Sequence, residues 1–303
     1  MNRLKRLSKT LRSNYWNIGF VEDDIRDVLK SERLNIHWLN HPYKDRWFAD
    51  PYFLSVNDEY ITLLVEEFSY KLQKGRIAKL VIKRDGYQLE DMKIILELPT
   101  HLSFPVIYRK GDSTFIMPEN SKSGKTTIYQ YDDKTDELKE VKALCHLPLT
   151  DATLAEMPDG KQYVLSTKEP TQNDNHLQIY PVDTDSWTMT EQPVQDVCFD
   201  SKVARNAGDV FVVDDIMYRP AQDCNKGYGN GVNIQQMDYK GGQFCFKDVR
   251  TFFSDIPEFD MGYHTFNIMN GLIVVDAHGH RFKTGNKIMM GLLSIYASLR
   301  GIK

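Results

Sequence analysis

The chain has 303 residues and a mass of 35.2 kDa, with 41% hydrophobic, 12% aromatic and 26% charged residues, the composition of a folded chain able to bury a full core rather than of a disordered or collagenous one. A net charge of −4 and a pI near 6.1 offer no global positive field, so a nucleic-acid partner is not expected. No run approaches the roughly 18 apolar residues of a membrane-spanning helix, and no secretory signal opens the chain; a cytoplasmic location is the expectation.

The first twelve residues, MNRLKRLSKTLR, carry Arg3, Lys5, Arg6, Lys9 and Arg12 with no acid. Residues 281–303 carry only basic charges beside the apolar run IMMGLLSIYASL. Both ends suit peripheral contact with the inner face of an anionic membrane, or a docked terminal helix. The expectation is a short N-terminal segment, residues 1–40, closing onto the main domain, and a helical tail over residues 283–303.

Between residues 41 and 282 helical periodicity is scarce and short β-rich runs bounded by turn residues recur, which reads as all-β. A turn followed by an aromatic or β-branched strand occurs five times: NDEYITLLVEE, GDSTFIMPE, DGKQYVLST, DDIMYRPAQD and NGLIVVDAH. The matching positions Tyr60, Phe115, Tyr163, Tyr218 and Ile273 are 55, 48, 55 and 55 residues apart, close to the roughly 50-residue period of a propeller blade. A five-bladed β-propeller of four-stranded blades follows; a β-sandwich or two β domains with accidental spacings is the alternative. No Pro/Gly/Ser linker marks a boundary. Cys145, Cys198, Cys224 and Cys245 are widely spaced with no CxxC pair and read as free thiols.

Upstream of each turn lies a second strand: FADPYFLSV, FPVIYRK, DATLAEM, ARNAGDVFVV and YHTFNIM. As innermost strands these run in the same direction and start at one mouth of the central channel. That brings together Asp50, Ser103 to Pro105, Asp151, Arg205 and His264.

Asp50 sits in WFADPYF among Trp47, Phe48 and Tyr52, placed for a general base or for stabilising positive charge on a sugar ring; alternatively it caps a turn. Glu66 and Glu67 are neighbours on a strand, so only one can face the channel. Glu67 is chosen, as the counterpart of Glu119 in MPEN. Asp151 is read as orienting a hydroxyl or tuning Asp50. Arg205 and Arg219 suggest a phosphate or carboxylate held by guanidinium forks, with Gln222 and Asp223 beside Arg219 in RPAQDC as further substrate contacts; a purely structural pairing of either arginine with Asp223 or Asp151 stays open. His264 would lie on the axis, donating to substrate, satisfying a carbonyl, or admitting a divalent metal nearby. Asp276, His278 and His280 alternate in DAHGH with metal-ligand residue types, but fall outside the converging set. SGKT at 123–126 lacks the first glycine of a phosphate loop, and KGYGNG reads as a flexible loop over the mouth.

The motifs WFADPYF, HLSFP, FIMPENS, DAT, ARNAG, RPAQDCNKGYG and GYHTFN, in that order, resemble the bacterial stand-alone form of the N-terminal domain family of glucosamine inositolphosphorylceramide transferase. The chain is also distantly similar to five-bladed propeller arabinanases, xylosidases and invertases. The resemblance implies a base or nucleophile at Asp50, a modulating acid at Asp151 and, at His264, the axial histidine that in some of those hydrolases holds a central metal through water. Their acid Glu belongs on the fourth blade, where Ala204-Arg205-Asn206 stands instead. A phosphate leaving group needs no such acid, so the expected function is glycosyl transfer from a phosphate-activated sugar in surface polysaccharide or glycolipid assembly. A glycoside hydrolase drawing its acid from Glu67 or Glu119, and a non-catalytic glycan-binding propeller, are the alternatives. Sugar or sugar-phosphate is the expected partner.

Overall fold

The structure is a computed structural model that describes residues 14–281; the basic segment 1–13 and the expected helical tail lie outside the described residues. The chain forms five antiparallel sheets. The N-terminal strands β1 (Asn14–Val21) and β2 (His37–Trp38) flank one short helix, α1 (Ile25–Val28). Blade one is β3 (Arg46–Val56), β4 (Tyr60–Ser69), β5 (Lys74–Lys83) and β6 (Gln88–Leu96). Blade two follows as β7 (Ser103–Lys110), β8 (Ser113–Glu119), β9 (Thr126–Asp132) and β10 (Glu137–Cys145). Blade three has β11 (Leu149–Glu156), β12 (Gln162–Lys168) and β13 (His176–Asp183), its outer edge split between β14 (Thr188–Met189) and β15 (Gln195–Cys198), which both pair with β13. Blade four is β16 (Phe211–Val213), β17 (Ile216–Asp223), β18 (Gly231–Lys240) and β19 (Gln243–Phe253). The last two strands, β20 (Gly262–Met269) and β21 (Leu272–His280), join β1 and β2 in blade five, ordered β2-β1-β21-β20.

The five repeat positions all fall on the second strand of a blade, and the expected inner strands occupy the axis. The boundary near residue 41 does not hold: β1 and β2 are integral to blade five, so among the described residues the propeller already includes Asn14 onward. β1 pairs with β21 over eight residues, from Asn14 opposite His280 to Val21 opposite Ile273. This closure joins the two ends of the described chain and removes the open edge of the ring.

Apolar layers lie between neighbouring blades. Phe48, Leu63 and Leu80 of blade one meet Ile18, Phe20 and Val274 of blade five. Leu165 and Ile179 of blade three meet Met237 and Phe244 of blade four. Inner strands are therefore buried over most of their length, with polar residues where they meet the axis and at their outer ends.

Candidate active site

Four of the five innermost strands carry the same irregularity near their start. The pairing register slips between Ala49 and Tyr52, between Ser103 and Val106, between Thr150 and Thr153, and between Tyr263 and Phe266. A β-bulge places two residues against one and re-aims a side chain. At three of the four, the first bulged residue has left-handed backbone: Asp50 with φ 51°, Phe104 with φ 44° and Asp151 with φ 46°. In blade four Asn206 takes the place, held by one bridge to Ala221.

The bulges are bonded from blade to blade around the axis. Phe104 N–H donates to Asp50 Oδ2 at 2.9 Å, and Asp151 N–H donates to Glu119 Oε2 at 3.0 Å. Asn206 Nδ2 donates to Asp151 O at 2.7 Å. Phe266 N–H donates to Ala207 O at 2.7 Å, and Asp50 N–H donates to Asp276 Oδ2 at 2.8 Å, which completes the circle.

His264 stands inside that circle. Its Nδ1 is 3.1 Å from Asp50 Oδ1 and 3.2 Å from Asp276 Oδ2, and its Nε2 is 2.5 Å from the Tyr228 hydroxyl. Burial alone would lower the imidazole pKa, but the Asp276 and Asp50 carboxylates reverse this and hold it well above its ordinary value. The ring is thus an imidazolium, with Nδ1–H shared by two carboxylates and Nε2–H donated to Tyr228. The ligand atoms of Asp50, His264 and Asp276 lie within 4.8 Å of one another, a spacing a divalent ion could use. Such an ion would have to displace the Nδ1 proton, and Asp276 already accepts backbone N–H groups on both oxygens; the donor set fits a proton better than a metal.

Across the axis, Arg205 Nε donates to Asp151 Oδ2 at 2.6 Å and Nη1 donates to Asn173 Oδ1 at 2.8 Å. Gln222 Nε2 donates to the same Asp151 oxygen at 2.6 Å. Tyr228 lies over both halves, with the Arg205 guanidinium 4.7 Å from its ring centre and the His264 ring 4.9 Å away. Tyr228 is partly exposed while its hydroxyl reaches His264, so this one residue of the glycine-flanked loop sits over the cluster.

The carboxyl groups divide by proton state. Asp276 is held below the usual range by His264, and Asp151 by Arg205, in both cases against burial. Burial pushes Glu66 and Glu119 well above the usual carboxylate range, helped by Asp50 for Glu66 and by Asp151 for Glu119. Asp50 is raised by burial and drawn back by His264. Glu66 Oε1, Asn120 Oδ1 and Gln222 Oε1 are buried without a hydrogen-bond partner among the described residues. Orphaned acceptors around one basin are groups that ligand hydroxyls can satisfy.

The structure thus brings Asp50, Glu119, Asp151, Arg205, Gln222 and His264 to one basin. It does not bring Glu67, which is fully buried between Arg46 and Arg76 at 3.2 and 2.9 Å on the opposite face of β4. Glu66 faces the axis instead. Ala49 pairs with Glu66 and Ser103 with Glu119, so Glu66 is the true counterpart of Glu119. Arg219 also lies elsewhere: 1% exposed, it donates to Asn206 Oδ1, Gln235 Oε1 and the carbonyls of Val203 and Ala204. Asp223 is spent on a turn, accepting from Asn225 N–H at 2.9 Å. The DAHGH residues split up: Asp276 enters the basin, and His278 stacks on Trp16 with ring centres 4.0 Å apart. Asp276, Tyr228 and Glu66 were the residues that strand-by-strand reading missed.

A five-bladed propeller with an acid-rich basin at one mouth of its axis is the class that fold and site define. The chain belongs to the family described as glucosamine inositolphosphorylceramide transferase 1, N-terminal, whose model matches residues 37–269. Glucosamine inositolphosphorylceramide transferase 1 of Oryza sativa subsp. japonica is 26% identical over 201 residues, 65% of this chain and 27% of the relative. The Arabidopsis thaliana protein of the same name is 24% identical over 206 residues, 66% of this chain and 27% of the relative. The match therefore spans about a quarter of these relatives' length. Among solved structures, a GH43 β-xylosidase/α-arabinofuranosidase from a compost microbial metagenome superposes with a TM-score of 0.54 at 12% identity, covering 78% of this chain and 92% of that one. A GH43_1 enzyme from Xanthomonas citri gives 0.55 at 11%, covering 78% and 88%. At such identities the likeness is one of fold. No helix among the described residues is long and apolar enough to cross a membrane.

Proposed function

We propose that the axial basin binds a sugar and transfers its glycosyl group, with Asp50 as base or nucleophile at the anomeric centre and Glu66 as the proton donor to the leaving oxygen. The observation that carries this reading is geometric: the bulge that presents Asp50 starts beside the Ala49–Glu66 pair, and His264 Nδ1 stands 3.1 Å from Asp50 Oδ1, with no such cation on Glu66 among the described residues. Burial raises both carboxyl groups, and His264 draws only Asp50 back strongly enough to be its ion-pair partner, which suits an acid at Glu66 and a base at Asp50. Three acidic side chains, Asp50, Asp151 and Asp276, meet two cationic ones, Arg205 and His264, both already paired with those acids, a lining that suits an oxocarbenium-like transition state better than a phosphate dianion. Glu66 fills the role of the acid that the fourth blade lacks. Solved neighbours of the same fold hold xylotriose, in keeping with a sugar ligand here.

Transfer from a phosphate-activated donor is the second reading, favoured by the word transferase in the relatives' names. Of the two arginines it relied on, only Arg205 is at the basin, and that guanidinium is already bound to Asp151.

Two variants separate the readings on a panel of aryl pentosides, aryl hexosides and nucleotide sugars. Asp50→Asn lowers kcat by roughly 10²–10⁴-fold on every substrate, and Glu66→Gln does so only where the leaving oxygen needs a proton. Turnover retained in both variants overturns the assignment. Sugar binding with no turnover from any donor makes the domain a binding module.

A further inference from the structure

The loop between β17 and β18, residues 224–230, is pinned at both ends. At its start Cys224 N–H donates to Lys202 O at 2.8 Å, and Lys202 N–H donates to Asn225 Oδ1 at 3.1 Å. At its end His278 Nε2 donates to Gly229 O at 3.0 Å. Gly262 lies so close beneath that a Cβ there would stand 2.3 Å from the carbonyl oxygens of both Gly229 and Asn230. Between the pins the tip, Lys226, Gly227 and Tyr228, is exposed. Gly227 at φ 140° and Gly229 at φ 65° flank the tyrosine in backbone that favours glycine. A Cβ on Gly227 would meet nothing within 4 Å, so the tip has room to turn.

From this exposed tip the Tyr228 side chain reaches a buried histidine. The residue is 41% exposed, yet its hydroxyl hydrogen-bonds at 2.5 Å to Nε2 of His264, which is 2% exposed. Its ring centre lies 4.7 Å from the Arg205 guanidinium and 6.2 Å from the Trp16 ring centre. A sugar ring can take over these contacts. A hydroxyl both donates and accepts, so it satisfies Nε2 in either protonation state, and a planar guanidinium covers the flat face of a ring. An imidazole nitrogen makes a single hydrogen bond, so a sugar hydroxyl reaches Nε2 only after the phenol leaves. We infer that the Tyr228 phenol is a latch that the ligand displaces: closed, it fills the place of a sugar ring, with its hydroxyl standing for a sugar hydroxyl on His264 Nε2; open, it has turned out about Gly227. That the displacing ligand is a sugar rests on the proposed function of the basin; the latch itself rests on the loop. The closed latch competes with the sugar, so the apparent Kd is the intrinsic Kd divided by the open fraction. An ordinary sugar contact and a latch therefore differ in sign: removing the first weakens binding, and removing the second strengthens it.

Titration calorimetry on the full chain reads that sign, with xylotriose and the aryl pentosides and aryl hexosides as probes, in the parent protein, Tyr228→Phe and Tyr228→Ala. Tyr228→Phe keeps the ring and removes its bond to His264; Tyr228→Ala removes both. Both variants bind sugar more tightly than the parent, Tyr228→Phe by about tenfold for the loss of one hydrogen bond to a charged group. Affinity unchanged or weakened in both overturns the latch and leaves the basin a sugar site. A second arm uses p-cresol, the detached side chain, and needs no sugar. In ¹⁵N-histidine-labelled protein the His264 ring signals, assigned through the backbone of residue 264, move in Tyr228→Ala, and p-cresol returns them toward their parent positions. Signals that do not move on Tyr228→Ala, or that p-cresol leaves unchanged there, overturn the claim that a displaceable ring occupies this place. A p-cresol response at His264 with no sugar bound by any of the three proteins overturns the sugar reading of the basin, and the role of the phenol as a sugar's stand-in with it.

Discussion

At the scale of single residues the basin is a balance of buried charges, and its sign with pH can be worked out. Glu66 and Glu119 have folded pKa values above their unfolded ones, so they bind protons more tightly when folded and cost stability as pH rises above the ordinary carboxylate range. His264 is raised as well, so its ion pairs contribute fully below the unfolded histidine pKa and are lost as pH climbs through the folded one. Both effects make the protein less stable on the alkaline side. Asp151 and Asp276 act oppositely, contributing above the ordinary aspartate range and failing as acid protonates them. Glu66→Gln removes one of the alkaline losses, worth up to about 1.4 kcal/mol per pH unit and proton. Thermal scans from pH 5 to 9 should show a shallower fall in Tm for Glu66→Gln than for the parent; equal slopes would mean that Glu66 is ionised throughout.

At the scale of elements the bulge is the device that makes a site out of a sheet. It was only partly legible. Asp50, Asp151 and His264 could be found because each opens a strand recognisable from its turn and its apolar run. The choice between Glu66 and Glu67 required the pairing register, and counting from the strand markers put β4 and β8, ten and seven residues long, out of step. A comparison of hairpin lengths would have caught this, since Glu66 and Glu119 each face the residue just before a bulge. Arg219 failed for a different reason: nothing in YRPAQDC says that the strand is covered on both faces, and burial lowers this guanidinium to about 9 while carbonyls and amides surround it. Arg219→Met should therefore cost roughly 3 kcal/mol in chemical unfolding by orphaning its acceptors, and leave sugar affinity of the folded protein unchanged. A selective loss of affinity at unchanged stability would return Arg219 to the site.

At the scale of the whole molecule the repeat period of about 50 residues, read from five turn-strand pairs, foretold the ring. What it did not foretell was the closure, because HW at 37–38 is too short to register as a strand and NYWNIGFV lies outside the repeat. β1 buries Trp16, Ile18, Phe20 and Val21. At roughly 1.5–3 kcal/mol for each such side chain, that burial is comparable to the entire stability of a typical domain. Removal of residues 1–21 should abolish the cooperative thermal transition seen by circular dichroism; a truncated chain melting within a few degrees of the parent would show that the ring does not depend on this strand.

The central claim is that one basin at the propeller axis holds the sugar between an acid and a base. Crystals of Glu66→Gln grown with an oligosaccharide that the parent protein turns over test it most directly. The account predicts an anomeric carbon about 3–3.5 Å from an Asp50 carboxylate oxygen, a glycosidic oxygen facing the residue-66 amide, and Tyr228 moved aside. A sugar seated on an outer blade face, with the Asp50–His264–Asp276 cluster and Tyr228 undisturbed, would contradict it.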